Sequence, residues 1–253
     1  MTHQNPIRLL QQGNRIYETT RSFAVEAFNL FNVNIEFLSV DENKGIKTIL
    51  MTSPFSSEGK SMVTVNLAAT MANANKKVLL IDGDMRRPTI HRYFSLINSK
   101  GLSDIVLNDI SIGELAKSFD DKNESGLSVL PSGRKPPNPS EILGSNKMAG
   151  FLNAIRDSYD YIIIDTPPVL LVPDALSLSR HVDGVIIVNK FGKTRDDMAK
   201  KAKEALDLVN AKLLGVVLNF TPSHKRYGYS KYNYGYYNYG YYHHSDRQNT
   251  AAK

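Results

Sequence analysis

The chain predicts an α/β fold in which helices flank a mostly parallel, doubly wound sheet. Three observations predict it. Short apolar runs alternate with longer amphipathic stretches through the first 222 residues. One apolar run leads through a glycine-containing loop straight into a helical stretch. Two other runs end in aspartate. Strands and helices in alternation build a parallel sheet, and such sheets carry ligands at the carboxyl ends of their strands.

The elements follow in order. Residues 22–38 have apolar side chains at helical spacing. Residues 46–52 read as a strand and 61–73 as the helix after it. Further strands are expected at 78–81, 127–130, 161–164, 185–188 and 213–218. Several are unbroken runs of Val, Ile and Leu, as strands buried on both faces require. Between the last two lies a helix over 194–210. Met198, Ala202, Ala205, Leu206 and Val209 form its apolar stripe, and Thr194 is its expected cap. Residues 131–139, PSGRKPPNP, predict a proline-rich surface loop leading into a helix near Ser140. Residues 1–222 make one domain, long enough to bury a sizeable core.

Residues 223–253 differ in kind. Nine of the chain's 13 tyrosines lie here: Tyr227, Tyr229, Tyr232, Tyr234, Tyr236, Tyr237, Tyr239, Tyr241 and Tyr242. Gly, Asn, Ser and Lys fill the gaps between them. Such a segment lacks the branched apolar side chains of a core and is expected to be a flexible tail. A tail that repeats one phenolic hydroxyl suits chemistry on that hydroxyl.

Composition narrows the partners. The chain has no cysteine, which excludes disulfides, Cys-ligated zinc and iron–sulfur clusters. Its net charge is +6, without a dense Lys/Arg run, so no nucleic acid is expected as partner. The N-terminus has no apolar signal core, and no apolar stretch is long enough to span a bilayer. A cytoplasmic chain is expected.

The loop between the first strand and its helix reads SPFSSEGKS. Ser57, Glu58, Gly59, Lys60, Ser61 and Met62 form the candidate nucleotide site, an imperfect P-loop with Pro54 where the full pattern has glycine. Backbone N–H groups and a helix N-terminus can cradle phosphates there. Lys60 would neutralise phosphate charge and Ser61 would ligate Mg²⁺. Lys60 has no structural partner evident in the sequence. The aspartates that end two strands are Asp82, followed by Asp84 in DGDMRRP, and Asp165 in DTPP. Carboxylates at strand ends suit Mg²⁺ held through oxygens and waters. One of them can also accept a proton from an attacking hydroxyl.

These segments together resemble the bacterial tyrosine kinases, the P-loop kinases of capsule and exopolysaccharide synthesis. The family's marks are a Walker A ending in GKS or GKT, an apolar run with DxDxR, and an apolar run with DxPP. Here they are SSEGKS, LLIDGDMR and IIIDTPP, and PPNPSEIL at 136–143 looks like the family's PPNPxELL. The resemblance implies a P-loop NTPase fold, ATP/ADP and Mg²⁺ as cofactors, and Lys60, Asp82, Asp84 and Asp165 as catalytic residues. Ser61 and the same three aspartates would hold the metal. Asn219 stands where related ATPases place an adenine-reading Asn. The nine tail tyrosines would be the phosphoacceptors. The implied partners are a membrane-embedded activator of the chain-length type, a cognate tyrosine phosphatase and further copies of the chain. They place the kinase at the inner face of the cell membrane, in the two-polypeptide arrangement of Gram-positive bacteria.

One departure bears on assembly. The family's ExxRxxR motif reads here as Glu26, Asn29 and Asn32. Asn cannot make the bidentate charged contact of Arg, so a weakened homo-oligomer is expected. The alternatives are a partition or septum-placement ATPase, whose second P-loop lysine is Phe55 here, and a regulatory subunit without kinase activity.

Overall fold

The computed structural model describes residues 18–40, 45–108, 110–118 and 126–222. Helix α1 spans Glu18–Val40, β1 Thr48–Thr52, α2 Lys60–Asn73 and β2 Val78–Asp82. Three short helices follow, α3 Ile90–Tyr93, α4 Leu102–Asn108 and α5 Ile112–Leu115, then β3 Lys117–Ser118 and β4 Leu127–Leu130. Next come α6 Pro139–Leu143, α7 Asn146–Ile155, β5 Tyr161–Asp165, α8 Asp174–Ser179, β6 Gly184–Lys190, α9 Asp196–Asp207 and β7 Leu213–Asn219.

The strands form one sheet in the order β3-β4-β2-β5-β1-β6-β7. Every pairing is parallel except the edge pair β3–β4. All residues of β1, β2 and β5 are buried, because helices cover both faces. Side chains alternate between the faces with the strand period of two. Leu50, Leu79, Ile81, Ile162 and Ile164 join the core that holds Met148, Leu152, Ala175 and Leu178. Ile49, Met51, Leu80 and Ile163 join the opposite core, with Val63, Leu67 and Met71 of α2.

Register positions the site. Met51 of β1 lies beside Asp165 of β5, and Asp165 lies beside Asp82 of β2. The carboxyl ends of three adjacent strands therefore meet at the loop before α2. At the opposite end of the sheet, Asp183 Oδ2 accepts from Arg156 Nη1 at 2.7 Å and from the N–H groups of Lys47 and Thr48 at 2.9 and 2.7 Å. Burial works to raise the Asp183 pKa, but these bonds outweigh it and hold the carboxyl below its ordinary value.

The expected strands appear within two residues of their predicted bounds. Other expectations need correction. The last strand is half-open: β7 pairs only with β6 among the described residues, and Val216 and Leu218 are 55% and 52% exposed. Thr194 does not cap α9. Arg195 occupies that position, and the Thr194 hydroxyl accepts from Lys190 N at 2.9 Å and donates to Glu58. The segment 131–139 is only partly a surface loop, since Pro131, Ser132, Gly133, Pro136 and Pro139 are buried. Asn98 holds Gly133 there by two hydrogen bonds of 3.1 and 2.9 Å. Short elements such as α4 and β3 carry too little periodicity to read in advance. In α1, Glu26 and Asn29 are exposed, but Asn32 is buried with no partner for its Oδ1. Asn32 thus faces the body of the domain, whereas Glu26 and Asn29 face outward.

No helix among the described residues is long and apolar enough to cross a membrane. The nine tail tyrosines lie outside the described residues.

Candidate active site at the strand ends

The loop from β1 to α2 takes its shape from two residues with positive φ, Ser57 at 65° and Gly59 at 81°. A Cβ on Gly59 would stand 2.2 Å from Asn219 Nδ2 and 2.8 Å from the Phe220 ring. Glycine is required there for both conformation and space. Helix α2 starts at Lys60 with no acidic residue in its first turn. Its first N–H groups have no intrahelical acceptors, which suits an anion.

Lys60 is far from idle. Its Nζ donates to Asp165 Oδ1 at 2.6 Å, with the lysine side chain 8% exposed and the aspartate fully buried. Ser61 Oγ donates to Asp165 Oδ2 at 2.6 Å, and Thr64 Oγ1 approaches Asp165 Oδ1 at 3.1 Å. The expectation that Lys60 lacks a structural partner is therefore corrected. One carboxylate at the end of β5 gathers the lysine and two hydroxyls of the phosphate loop and its helix.

Asp82 is fully buried at the end of β2. Its Oδ2 accepts from Thr89 N at 3.0 Å and Ile90 N at 2.9 Å, and its Oδ1 from Asp84 N at 3.2 Å. Burial, and then the charge of Asp165, push its pKa up to about 8. Burial also raises the Asp84 pKa, against an N–H bond from Arg87 at 2.9 Å. Crowded carboxylates that resist ionisation suit a site completed by a cation.

The other predicted residues fall around this centre. Glu58 is 2% exposed, and its Oε1 accepts from Thr194 Oγ1 at 2.6 Å. Burial raises its pKa, with the Thr194 bond opposing. Asn219 donates to Glu58 O at 3.0 Å and accepts from Phe220 N at 2.9 Å. Its amide thus shapes the phosphate loop and keeps one N–H for another acceptor. Met62 lies half-buried in the first turn of α2.

The residues present fit a magnesium nucleotide. They offer a hydroxyl, strand-end carboxylates, a lysine and an acid-free helix start. Among the described residues, no group of three or more His, Cys, Asp or Glu side chains forms a closed metal cage.

A sequence family described as an AAA domain matches residues 46–195. The tyrosine-protein kinase YwqD of Bacillus subtilis (strain 168) is 42% identical over 83% of this chain and 87% of its own length. The chain belongs to the bacterial tyrosine kinases. Solved structures agree with the assignment. The chimerical protein CapA2B2 superposes with a TM-score of 0.74 at 36% identity, over 85% of this kinase and 90% of that chain. The kinase domain of the Escherichia coli tyrosine kinase ETK gives a TM-score of 0.71 at 30% identity, over 81% of this kinase and 80% of that chain. These matches favour a tyrosine kinase over a partition-type ATPase or a non-catalytic subunit.

Several residues of the kinase's site escape sequence reasoning. Thr64 and Thr194 do, since each looks like an ordinary helix-associated threonine. So does a network beyond Asp84. Arg86 donates through Nε and Nη2 to Asp174, at 2.9 and 2.8 Å, and through Nη2 to Ser140 Oγ at 3.2 Å. Ser140 Oγ donates in turn to Asp174 Oδ1 at 2.7 Å. The Arg of DGDMR and the Ser of PPNPSEIL were visible as motif members, but not as partners.

Proposed function

We propose that this kinase transfers the terminal phosphoryl group of ATP, as its Mg²⁺ complex, to the tyrosines of its own C-terminal segment. Residues 1–222 act as the kinase domain and 223–253 as the acceptor tail. The observation that carries the reading is the convergence of Lys60, Ser61, Asp165 and Asp82 on three adjacent strand ends. Bound Mg²⁺ would supply charge neutralisation at the phosphates, and Ser61 would hold it, with Asp82, Asp84 and Asp165 supporting it through waters. Lys60 exchanges Asp165 for phosphate oxygens. The N–H groups of 57–62 orient the phosphates, and Asn219 contacts adenine through its remaining N–H. Asp82 has a pKa near the working pH, which suits a group that accepts the tyrosine proton. Phosphoryl transfer needs alignment and charge neutralisation more than an ionised nucleophile.

The kinase works in the cytoplasm, against the inner face of the membrane, where a membrane-embedded activator engages it. A cognate phosphatase resets the tail. The cycle regulates synthesis and export of a capsule or exopolysaccharide. The names of the relatives support this reading, among them CapB of Staphylococcus aureus and CpsD of Streptococcus agalactiae.

The test uses the full chain, γ-labelled ATP and Mg²⁺, with and without the cytoplasmic end of the activator. Label should enter the wild-type chain and be lost when all nine tail tyrosines become Phe. Equal labelling of that variant would overturn the tail as acceptor. No labelling of the wild type, even with the activator, would overturn self-phosphorylation.

A further inference from the structure

We propose that Arg86 is a positioning residue that, clamped to Asp174 and Ser140, holds the turn carrying Asp82 and Asp84 in place at the phosphate site. The inference rests on the site reading above and assigns a job to two sequence features that reading leaves unused.

The turn begins where β2 ends. Gly83 N donates to Asp165 O at 2.7 Å, which ties the start of the turn to β5. A Cβ on Gly83 would lie 2.8 Å from that same oxygen, so the approach needs glycine. The next residues wrap around Asp82, which collects N–H bonds from Asp84, Thr89 and Ile90. Asp84 accepts from Arg87 N. These bonds stay within the turn. They fix its shape, while the Gly83 bond and the buried Met85 seat its first half on the fold.

Arg86 adds a charged attachment to two further elements. Its guanidinium reaches both oxygens of Asp174, at the start of α8, and the hydroxyl of Ser140, in α6. Asp174 is fully buried and Arg86 is 35% exposed, so the guanidinium reaches from the surface to a carboxylate inside the fold. Ser140 closes a triangle by donating to Asp174. A planar fork held at two points fixes direction as well as distance, which a lysine cannot do. The backbone of Arg86 lies two residues from Asp84 and four from Asp82. A turn freed at this point would keep its internal bonds but let Asp84, beyond the last residue of β2, shift. Phosphoryl transfer is sensitive to such misplacement, and an error near 1 Å can cost about 100-fold.

None of the hydrogen bonds that form the clamp involves a residue of the phosphate loop. Its loss should therefore act on turnover and on the response to Mg²⁺, and leave metal-free nucleotide binding alone. The experiment measures three quantities on full-length Arg86→Gln, Arg86→Lys, Ser140→Ala and Asp84→Asn. They are kcat with KM for ATP, the Mg²⁺ concentration at half-maximal rate, and the Kd for ADP in EDTA. Expected for Arg86→Gln are a kcat loss of about 10- to 100-fold, a raised Mg²⁺ midpoint, and an ADP Kd within about twofold of wild type. Arg86→Lys should recover part of the loss, because charge returns without the fork. Ser140→Ala should lose about threefold, from one weakened corner of the triangle. It decides the question if the Arg86 variants do not fold. Full turnover in Arg86→Gln, or in Ser140→Ala when only that variant folds, overturns the clamp. So does an ADP Kd that weakens in step with kcat, which marks a general folding brace. Full activity in Asp84→Asn instead overturns the site reading.

Discussion

Lys60→Met, the obvious substitution for silencing this kinase, should also destabilise it. The Lys60–Asp165 pair is nearly dry, at 8% and 0% side-chain exposure. Removing one partner of a buried pair costs about 3–5 kcal/mol, because the other charge is left without its counterion. Ser61 and Thr64 keep their bonds to Asp165, so the site should retain its shape. A domain of typical stability, about 5–15 kcal/mol, stays folded through such a loss. With a urea slope of about 2 kcal/mol/M, the unfolding midpoint should drop by roughly 1.5–2.5 M. Adding Asp165→Asn should recover much of the difference, and the four-variant cycle measures the coupling. No midpoint shift in Lys60→Met, or no recovery on adding Asp165→Asn, would refute the reasoning.

Further outcomes are expected. Gly59→Ala puts a side chain at φ 81° and 2.2 Å from Asn219 Nδ2. A left-handed L-residue costs about 1–2 kcal/mol, so ADP affinity, read by fluorescence titration, should fall about 5- to 30-fold. The Asp183 carboxyl sits below its ordinary pKa in the folded chain. Its stabilisation is complete above the unfolded value and lost as pH falls through the folded one. Asp183→Asn should lower the melting temperature at pH 7 and flatten its decline in acid; an unchanged acid limb would count against the assignment. Asn29→Arg should strengthen self-association in light scattering, because Asn29 is exposed. Asn32→Arg should lower stability instead, since that side chain is 6% exposed.

The sheet was legible because its strands are apolar runs with polar punctuation, and strand-end acids mark the crest wherever they fall. The P-loop was legible because glycine, lysine and serine stand between a strand and a helix. What the sequence hid is which distant polar groups meet. Lys60 and Asp165 are 105 residues apart, and Arg86 and Asp174 are 88 apart. Periodicity tells which face of an element is buried, and it carries no record of a partner on another element. Thr194 shows the limit well. Its place before a helix suggested a cap, but its hydroxyl was drawn instead to a buried Glu58 that needed a donor. Asn32 shows another. Motif alignment put it on an assembly surface, while the turn of α1 put it inside.

The outer edge of β7 has a consequence for handling the protein. The strand, LLGVVLN, carries no charge along its length, and Val216, Leu218 and Phe220 stand open on it. Sheet edges in solution are commonly blunted by lysine, proline or a bulge. Here the pairing with β6 slips by one residue only at the start of the strand, between Leu213 and Gly215, and Pro222 comes after the strand has ended. Concentrated preparations should therefore adhere edge to edge in a way that has nothing to do with catalytic assembly. Such colloidal attraction grows with protein concentration and has no fixed stoichiometry, whereas a closed oligomer has a definite mass. Val216→Lys would place a charge on that edge without touching α1. It should quiet the first kind of association and leave the second intact.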